Sequence, residues 1–236
     1  MNKYEQLKNI INESKSIVIF SGAGISVPSG IPDFRSSNGL YTEEFGQYSP
    51  EEIISHSFFI KNPTLFYKFY GSKMVYREAK PNLAHLCFAK MPNVKAVVTQ
   101  NIDGLHQMAG SKNVLELHGS VHRNYCMKCH KFYPLKEIDV NKPCYCDCGG
   151  MIKPDVVLYE EPLDEEIVYK AIEAISKADT LIVVGTSLVV YPAASYLRYF
   201  RGKHLILINK SPTSYDSLAE LVFNEDVIEV MKQIEK

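Results

Sequence analysis

Four largely apolar runs, each closing on a polar or glycine-rich turn, constrain this chain more than anything else in it. Residues 16–20 lead into Ser21-Gly22-Ala23-Gly24 and residues 94–98 into Thr99-Gln100-Asn101. Residues 181–184 lead into Gly185-Thr186-Ser187, and residues 204–208 into Asn209-Lys210. An unbroken apolar run, rather than an alternating one, marks a strand buried on both faces in a parallel sheet. Helical patterns fall between these runs. Tyr4, Leu7, Ile10 and Ile11 share one face of residues 3–14, residues 81–90 form another helix, and Asp164 caps a third that reaches about residue 178. Shorter strands at 113–117 and 221–223 and a closing helix at 227–234 complete the alternation. The rhythm predicts an α/β fold with a mostly parallel, doubly wound sheet. Ligands in such sheets sit outside the carboxyl ends of the strands, so the polar ends are predicted to face one crevice.

The densest of these ends is 99–106, Thr-Gln-Asn-Ile-Asp-Gly-Leu-His, followed by His118-Gly119. It gathers an amide pair, a carboxylate and two imidazoles. The turn at 21–30 suggests backbone N–H groups cradling a phosphate at a helix N-terminus. It departs from the dinucleotide fingerprint, because Val27 occupies the third small position and no second strand with an acidic end follows. An ordinary hydride-transfer site therefore fits poorly. A nucleotide in another pose and a plain tight turn both stay open.

Residues 50–78 read as helical, with an aromatic stripe of Phe58, Phe59, Leu65, Phe66, Phe69 and Tyr70 that suits a small core. Residues 121–153 break the rhythm with Cys126-Met-Lys-Cys129 and Cys144-Tyr-Cys146-Asp-Cys148. Two cysteine clusters at this separation match a zinc ribbon, and four thiolates make a closed, structural site. The preferred set is Cys126, Cys129, Cys146 and Cys148, with Cys144 spare; Cys144 with Cys148, and His130 as fourth ligand, are the alternatives. Cys87 reads as a core thiol. After the ribbon the rhythm is expected to resume with a strand at 153–159.

Net charge is −1 over 236 residues, so no global field draws the chain to nucleic acid or to an anionic membrane. The first residues lack a signal peptide's apolar core, and no run approaches the roughly 18 apolar residues of a membrane span. A cytoplasmic location is expected, and so is a monomer.

Taken together, Gly22-Ala-Gly-Ile-Ser26, Gly30-Ile-Pro-Asp-Phe-Arg35, Thr99 to His106, His118-Gly119, the cysteine ribbon, Lys153-Pro-Asp-Val-Val157, Gly185-Thr-Ser187 and Asn209-Lys210 resemble the sirtuin family of NAD-dependent protein deacylases, in compact bacterial or archaeal form. The motifs stand in family order across nearly the whole chain. The resemblance implies a large Rossmann-like domain (1–32, 80–120 and 154–236). It also implies a small domain made of a cofactor loop with a helical insert (33–79) and a zinc ribbon (121–153).

It also implies roles. Gly22, Ala23, Gly24 and Ser26 would hold the NAD pyrophosphate, and Asp33, Phe34 and Arg35 a loop closing over NAD. Gln100, Asn101, Ile102 and Asp103 would meet the ribose and nicotinamide end, with Asn101 also catalytic. Gly185, Thr186, Ser187, Asn209, Lys210, Asp226 and Val227 would surround the adenosine half. His118 would be the base, and Phe34, His118, Val156 and Val157 would meet an acyl-lysine peptide that adds as a strand. The implied reaction transfers the acyl group from lysine to ADP-ribose, giving nicotinamide, O-acyl-ADP-ribose and free lysine, with zinc structural. Phe34 would keep water from the electrophilic ribose carbon.

Two departures stand out. Tyr159-Glu160-Glu161 replaces the family's Phe-Gly-Glu, and a glutamate cannot take every conformation that glycine can. Tyr70-Gly-Ser-Lys73 stands where desuccinylating members carry Tyr-x-x-Arg. Lysine lacks the fork that grips a carboxylate, so an acetyl or other uncharged acyl group is expected. Protein ADP-ribosylation on the same pocket is the first alternative. A zinc-ribbon nucleic-acid module is the second, disfavoured because Asp139 and Asp147 dilute the basic residues of the ribbon.

Overall fold

The computed structural model describes residues 1–34, 39, 45 and 47–235. Helix α1 (Lys3–Glu13) opens with a capping box: the Asn2 side chain accepts from Glu5 N, and Glu5 returns the bond. Strands β1 (Ile17–Ser21), β2 (Val94–Thr99), β3 (Val114–Glu116), β7 (Thr180–Val184), β8 (His204–Ile208) and β9 (Leu221–Phe223) form one sheet in the order β3-β2-β1-β7-β8-β9. Every pairing in it is parallel. The chain leaves β1 towards one edge, then crosses to β7 and builds towards the other. The switch point thus lies between β1 and β7, where such sheets bind ligands.

One face of the sheet packs on α1, α5 (Leu83–Lys90) and α8 (Val227–Glu235), with Leu7, Phe88 and Val230 buried among Ile17, Ile19 and Ile206. The other face packs on α7 (Glu165–Lys177) and the 3-10 turns at Ala193–Tyr199, through Ala171, Ile175 and Leu197. Asp164 caps α7 by accepting from the N–H groups of Glu166 and Ile167, as its sequence position predicts.

The expected helical stretch 50–78 is three helices, α2 (Pro50–Ile53), α3 (His56–Lys61) and α4 (Pro63–Lys73). Ser49 and Ser55 accept the N–H groups of Glu52 and Phe58 and start new helices, while Pro50 and Pro63 stand at first-turn positions. Their aromatic residues form a core, as the stripe suggested. Phe59, Phe66, Tyr67 and Tyr70 pack with Cys126, Cys146 and Ile152 of the cysteine-bearing segment.

That segment is a second, antiparallel sheet of β4 (Gly119–Cys126), β5 (Phe132–Pro134) and β6 (Ile152–Val156), in the order β5-β4-β6. The strand read at 153–159 is therefore β6 of the small sheet, shorter than expected, and the parallel rhythm resumes only at α7. Its burial alternates, with Ile152, Pro154 and Val156 inward and Lys153 and Asp155 partly out. That is the pattern of a strand covered on one face, not of a parallel core strand.

Candidate active site at the switch point

The turns after β1 and β7 press back to back. Gly22 N donates to Val184 O and Gly24 N to Gly185 O. Gly185 has φ +60°, and a Cβ there would lie 2.2 Å from Ile25 N. Only glycine satisfies both the left-handed backbone and the contact. At Gly24 and Gly185 the two turns meet backbone to backbone. Gln100 Nε2 joins them by donating to Thr186 Oγ1 at 3.2 Å.

Beyond β2, three polar side chains meet. Asn101 Nδ2 donates to Ser26 Oγ (3.1 Å), and Ser26 Oγ donates to Asp103 Oδ2 (2.7 Å). Burial raises the Asp103 pKa against the lowering effect of the Leu105 N–H and Ser26 bonds. His122 Nε2 lies 2.9 Å from Asp103 O, so β4 of the small sheet helps hold this loop.

His118 sits at the joint of the two sheets. Gly119 beside it has φ +74°, and a Cβ there would lie 1.9 Å from Asp155 O. Glycine thus lets β4 turn against β6 at the residue where the imidazole enters the cleft. His118 Nδ1–H donates to Gln100 O at 2.9 Å, which leaves Nε2 as the acceptor nitrogen of the neutral ring. Burial pushes the His118 pKa below its ordinary value, and the bond to Gln100 opposes that shift.

These groups line one cleft of about 1440 Å³, large enough for a dinucleotide with a peptide segment. Gly22, Ala23, Gly24, Ser26, Asp33, Phe34, Gln100, Asn101, Ile102, Asp103, His118, Val156, Val157, Gly185, Thr186, Ser187, Asn209, Lys210, Asp226 and Val227 all border it. Arg35 lies outside the described residues. At the far end Lys210 and Asp226 form an ion pair of 2.9 Å, and Asp226 also accepts Ile228 N at the start of α8.

Tyr159 and Glu160, noted in the sequence only as a departure, also line the cleft, as do Val190 and Tyr191, to which sequence reasoning gave no role. Nothing local in the sequence marks Val190 and Tyr191; the structure shows Tyr159 and Tyr191 as exposed aromatic residues, at 43% and 69%. Glu160 does adopt the left-handed backbone that the family's glycine favours (φ 75°). Its carboxylate takes bonds from Ser57 N and Ser57 Oγ, which offset that strain. Lys73 borders the cleft, whereas Tyr70 is wholly buried in the small core.

The converging thiols are those of Cys126, Cys129, Cys146 and Cys148, all within 4.8 Å of one another. Cys126 and Cys148 sulfurs stand 3.4 Å apart, and those of Cys129 and Cys146 3.6 Å. A disulfide requires about 2.05 Å, whereas thiolates on tetrahedral zinc lie about 3.8 Å apart, given Zn–S near 2.3 Å. The N–H groups of Lys128 and Cys129 point at Cys126 Sγ, which stabilises a thiolate there. The cluster thus has the donor set and spacing of structural zinc. Cys144 Sγ is engaged elsewhere, with Asp139 O and Lys142 O, and His130 is exposed.

A parallel sheet with a glycine-lined switch point, a histidine at the sheet joint and a four-thiol ribbon define a nucleotide-dependent enzyme with a small zinc domain. The Sir2 family pattern matches residues 22–192, and the chain belongs to that family. A Clostridium perfringens NAD-dependent protein deacetylase is 58% identical over 99% of this chain and 98% of its own. A Clostridium acetobutylicum protein of the same description is 55% identical over 99% and 98%. Among solved structures, a Sir2–p53 peptide–NAD+ complex superposes with TM-score 0.85 at 39% identity, covering 99% of this chain and 97% of the other. A Sir2 bound to acetylated peptide does so with TM-score 0.85 at 38% identity and the same coverage.

Proposed function

We propose that this chain removes acetyl groups from protein lysines in a reaction that consumes NAD. The observation that carries this reading is the acceptor Nε2 of His118 in the same cleft as the Asn101–Ser26–Asp103 cluster and the glycine turns. Bound NAD supplies an electrophilic ribose carbon as nicotinamide leaves, and the acetyl oxygen of the lysine is the nucleophile.

The chain's residues have separable tasks. The backbone of Gly22, Ala23 and Gly24, at the carboxyl end of β1, suits the pyrophosphate. Asn101 and Asp103, held by Ser26, orient the ribose and the leaving carboxamide. His118 is fixed by Gln100 O so that Nε2 accepts a proton from the ribose diol. Its depressed pKa keeps it in the neutral form that a base requires. Phe34 and Ile102, at the cleft's edge, exclude water. β6 is an edge strand of the small sheet, so an extended acetyl-lysine peptide can pair along Val156 and Val157. The zinc cysteines do no chemistry; they fix the sheet from which β6 reaches the cleft and His122 holds the Asp103 loop.

The test is product analysis with purified protein, NAD and an acetyl-lysine peptide. Equimolar free lysine peptide, nicotinamide and O-acetyl-ADP-ribose are expected, with a succinyl-lysine peptide turned over far more slowly. ADP-ribose attached to the protein or peptide, with the acetyl group retained, would replace this reading by ADP-ribosyl transfer.

A further inference from the structure

His85 and His106 are buried behind the cleft, at 0% and 1% exposure, and no role for either follows from the reaction. Each carries a ring nitrogen without a hydrogen-bond partner, Nε2 of His85 and Nδ1 of His106. Buried polar atoms are normally paired, so two orphans on touching side chains call for an explanation. The rings meet edge to face, with centroids 4.8 Å apart.

The surrounding bonds fix both tautomers. The backbone N–H of Asn82 can only donate, so His85 Nδ1 is the acceptor in the capping box of α5. A neutral His85 therefore carries its proton on Nε2. On the other side, Ser21 Oγ donates its one hydrogen to Thr99 Oγ1 at 2.9 Å. The contact of 2.9 Å between Ser21 Oγ and His106 Nε2 then needs its hydrogen from the imidazole, which leaves Nδ1 bare. One orphan is a donor and the other an acceptor. Burial holds both rings neutral by lowering their pKa values.

We propose that His85 Nε2–H donates to His106 Nδ1, directly or through one water, and that His106 is a positioning residue for the reaction. The bond completes a chain from Asn82 N–H through His85, His106 and Ser21 to Thr99 Oγ1. Thr99 Oγ1 also accepts the backbone N–H of Asn101 at 3.0 Å. The chain thus anchors, from the core, the backbone of the residue placed beneath the ribose. Deleting His106 frees the Ser21 hydroxyl to rotate away from Thr99 and loosens that anchor. The kinetic part of this inference rests on the role given to Asn101; the hydrogen-bond part does not.

The test compares His106→Leu with His106→Gln, whose amide nitrogen can still donate to Ser21. For the leucine variant, kcat is expected to fall about tenfold or more with the peptide KM within about twofold, and glutamine is expected to restore most of kcat. A glutamine variant as slow as leucine, or losses that follow melting temperature in both, would overturn the positioning role. In wild-type protein, 15N-histidine NMR at pH 7 is expected to show both rings neutral with the proton on Nε2. His106 protonated on Nδ1 would overturn the hydrogen-bond chain even if no variant folds. If wild type releases no nicotinamide with acetylated peptide, it is the deacetylase reading that fails, and the NMR result still decides the chain.

Discussion

The crevice of the six-stranded sheet is held by backbone and core, whereas the cysteine end of the three-stranded sheet is held by sulfur. In the large sheet, Val18, Phe20, Leu181 and Val183 are sealed on one face and Ile17, Ile19 and Ile182 on the other. The turns at its end need only fold over a support that is already rigid. The small sheet has three strands, and its tip at Cys126–Cys129 and Cys146–Cys148 adds four converging thiols to the backbone bonds and aromatic packing that close it. The proposed chemistry sits where the first kind of support ends, and the four thiols at the tip of the second. His118 lies where the two meet, so both supports act on it.

Removing the metal should give the largest effect. Structural zinc in small domains is worth about 10–16 kcal/mol of folding free energy at neutral pH. Chelation, or Cys126→Ser, should open the ribbon to protease and abolish deacetylation. Far-UV circular dichroism of the parallel sheet and its helices should largely survive. Joint loss of both would show that the two supports are one cooperative unit.

Gly185→Ala attacks the other support. A β-carbon at φ +60° and 2.2 Å from Ile25 N should cost about 2–4 kcal/mol from strain and overpacking. It should also weaken NAD binding while leaving zinc content at one per chain. Retained NAD affinity, measured by calorimetry, would mean that the back-to-back turns are not what shapes the crevice.

Acid separates the regions more gently. His85 is lowered to about 4 and His106 to about 3 from an ordinary 6.5. Between these values the unfolded chain binds protons that the folded chain refuses. The melting temperature should therefore fall as pH drops from 6.5 towards 4, and recover on the way back up. A flat profile would place both imidazoles in contact with water. The smallest effect is expected for Cys144→Ser, whose thiol bonds to the carbonyl oxygens of Asp139 and Lys142 rather than joining the four converging thiols. Zinc content and activity should be unchanged, and stability within about 0.5 kcal/mol.

Much of the parallel sheet was legible because unbroken runs such as residues 181–184 admit few other readings. The polar ends were legible because chemistry-bearing residues stood at the carboxyl end of each run. Strand β6 was not, since Lys153 to Val157 follows the ribbon and reads as the next step of the alternation. Only its pairing with β4 assigns it to the small sheet. The three helices between residues 50 and 73 blurred into one because their aromatic stripe is continuous, although Ser49, Ser55 and Pro63 mark the breaks. Glu160 shows the limit of residue-type reasoning: the conformation that suits glycine is kept, and Ser57 supplies the bonds that hold it. The partners of His106 were beyond reach, because Ser21 and His85 are distant in sequence and nothing local announces the contact.

If the histidine fixed at the sheet joint is the base for a peptide-dependent reaction of NAD, its removal must show in the products. The most direct measurement is formation of deacetylated peptide and nicotinamide in wild type and His118→Ala, each with and without the acetyl-lysine peptide. Wild-type nicotinamide release should require the peptide. Deacetylation by the variant should fall about 10²–10⁴-fold, with melting temperature and zinc content unchanged. A folded variant that deacetylates at the wild-type rate, or wild-type release indifferent to the peptide, would contradict that reading.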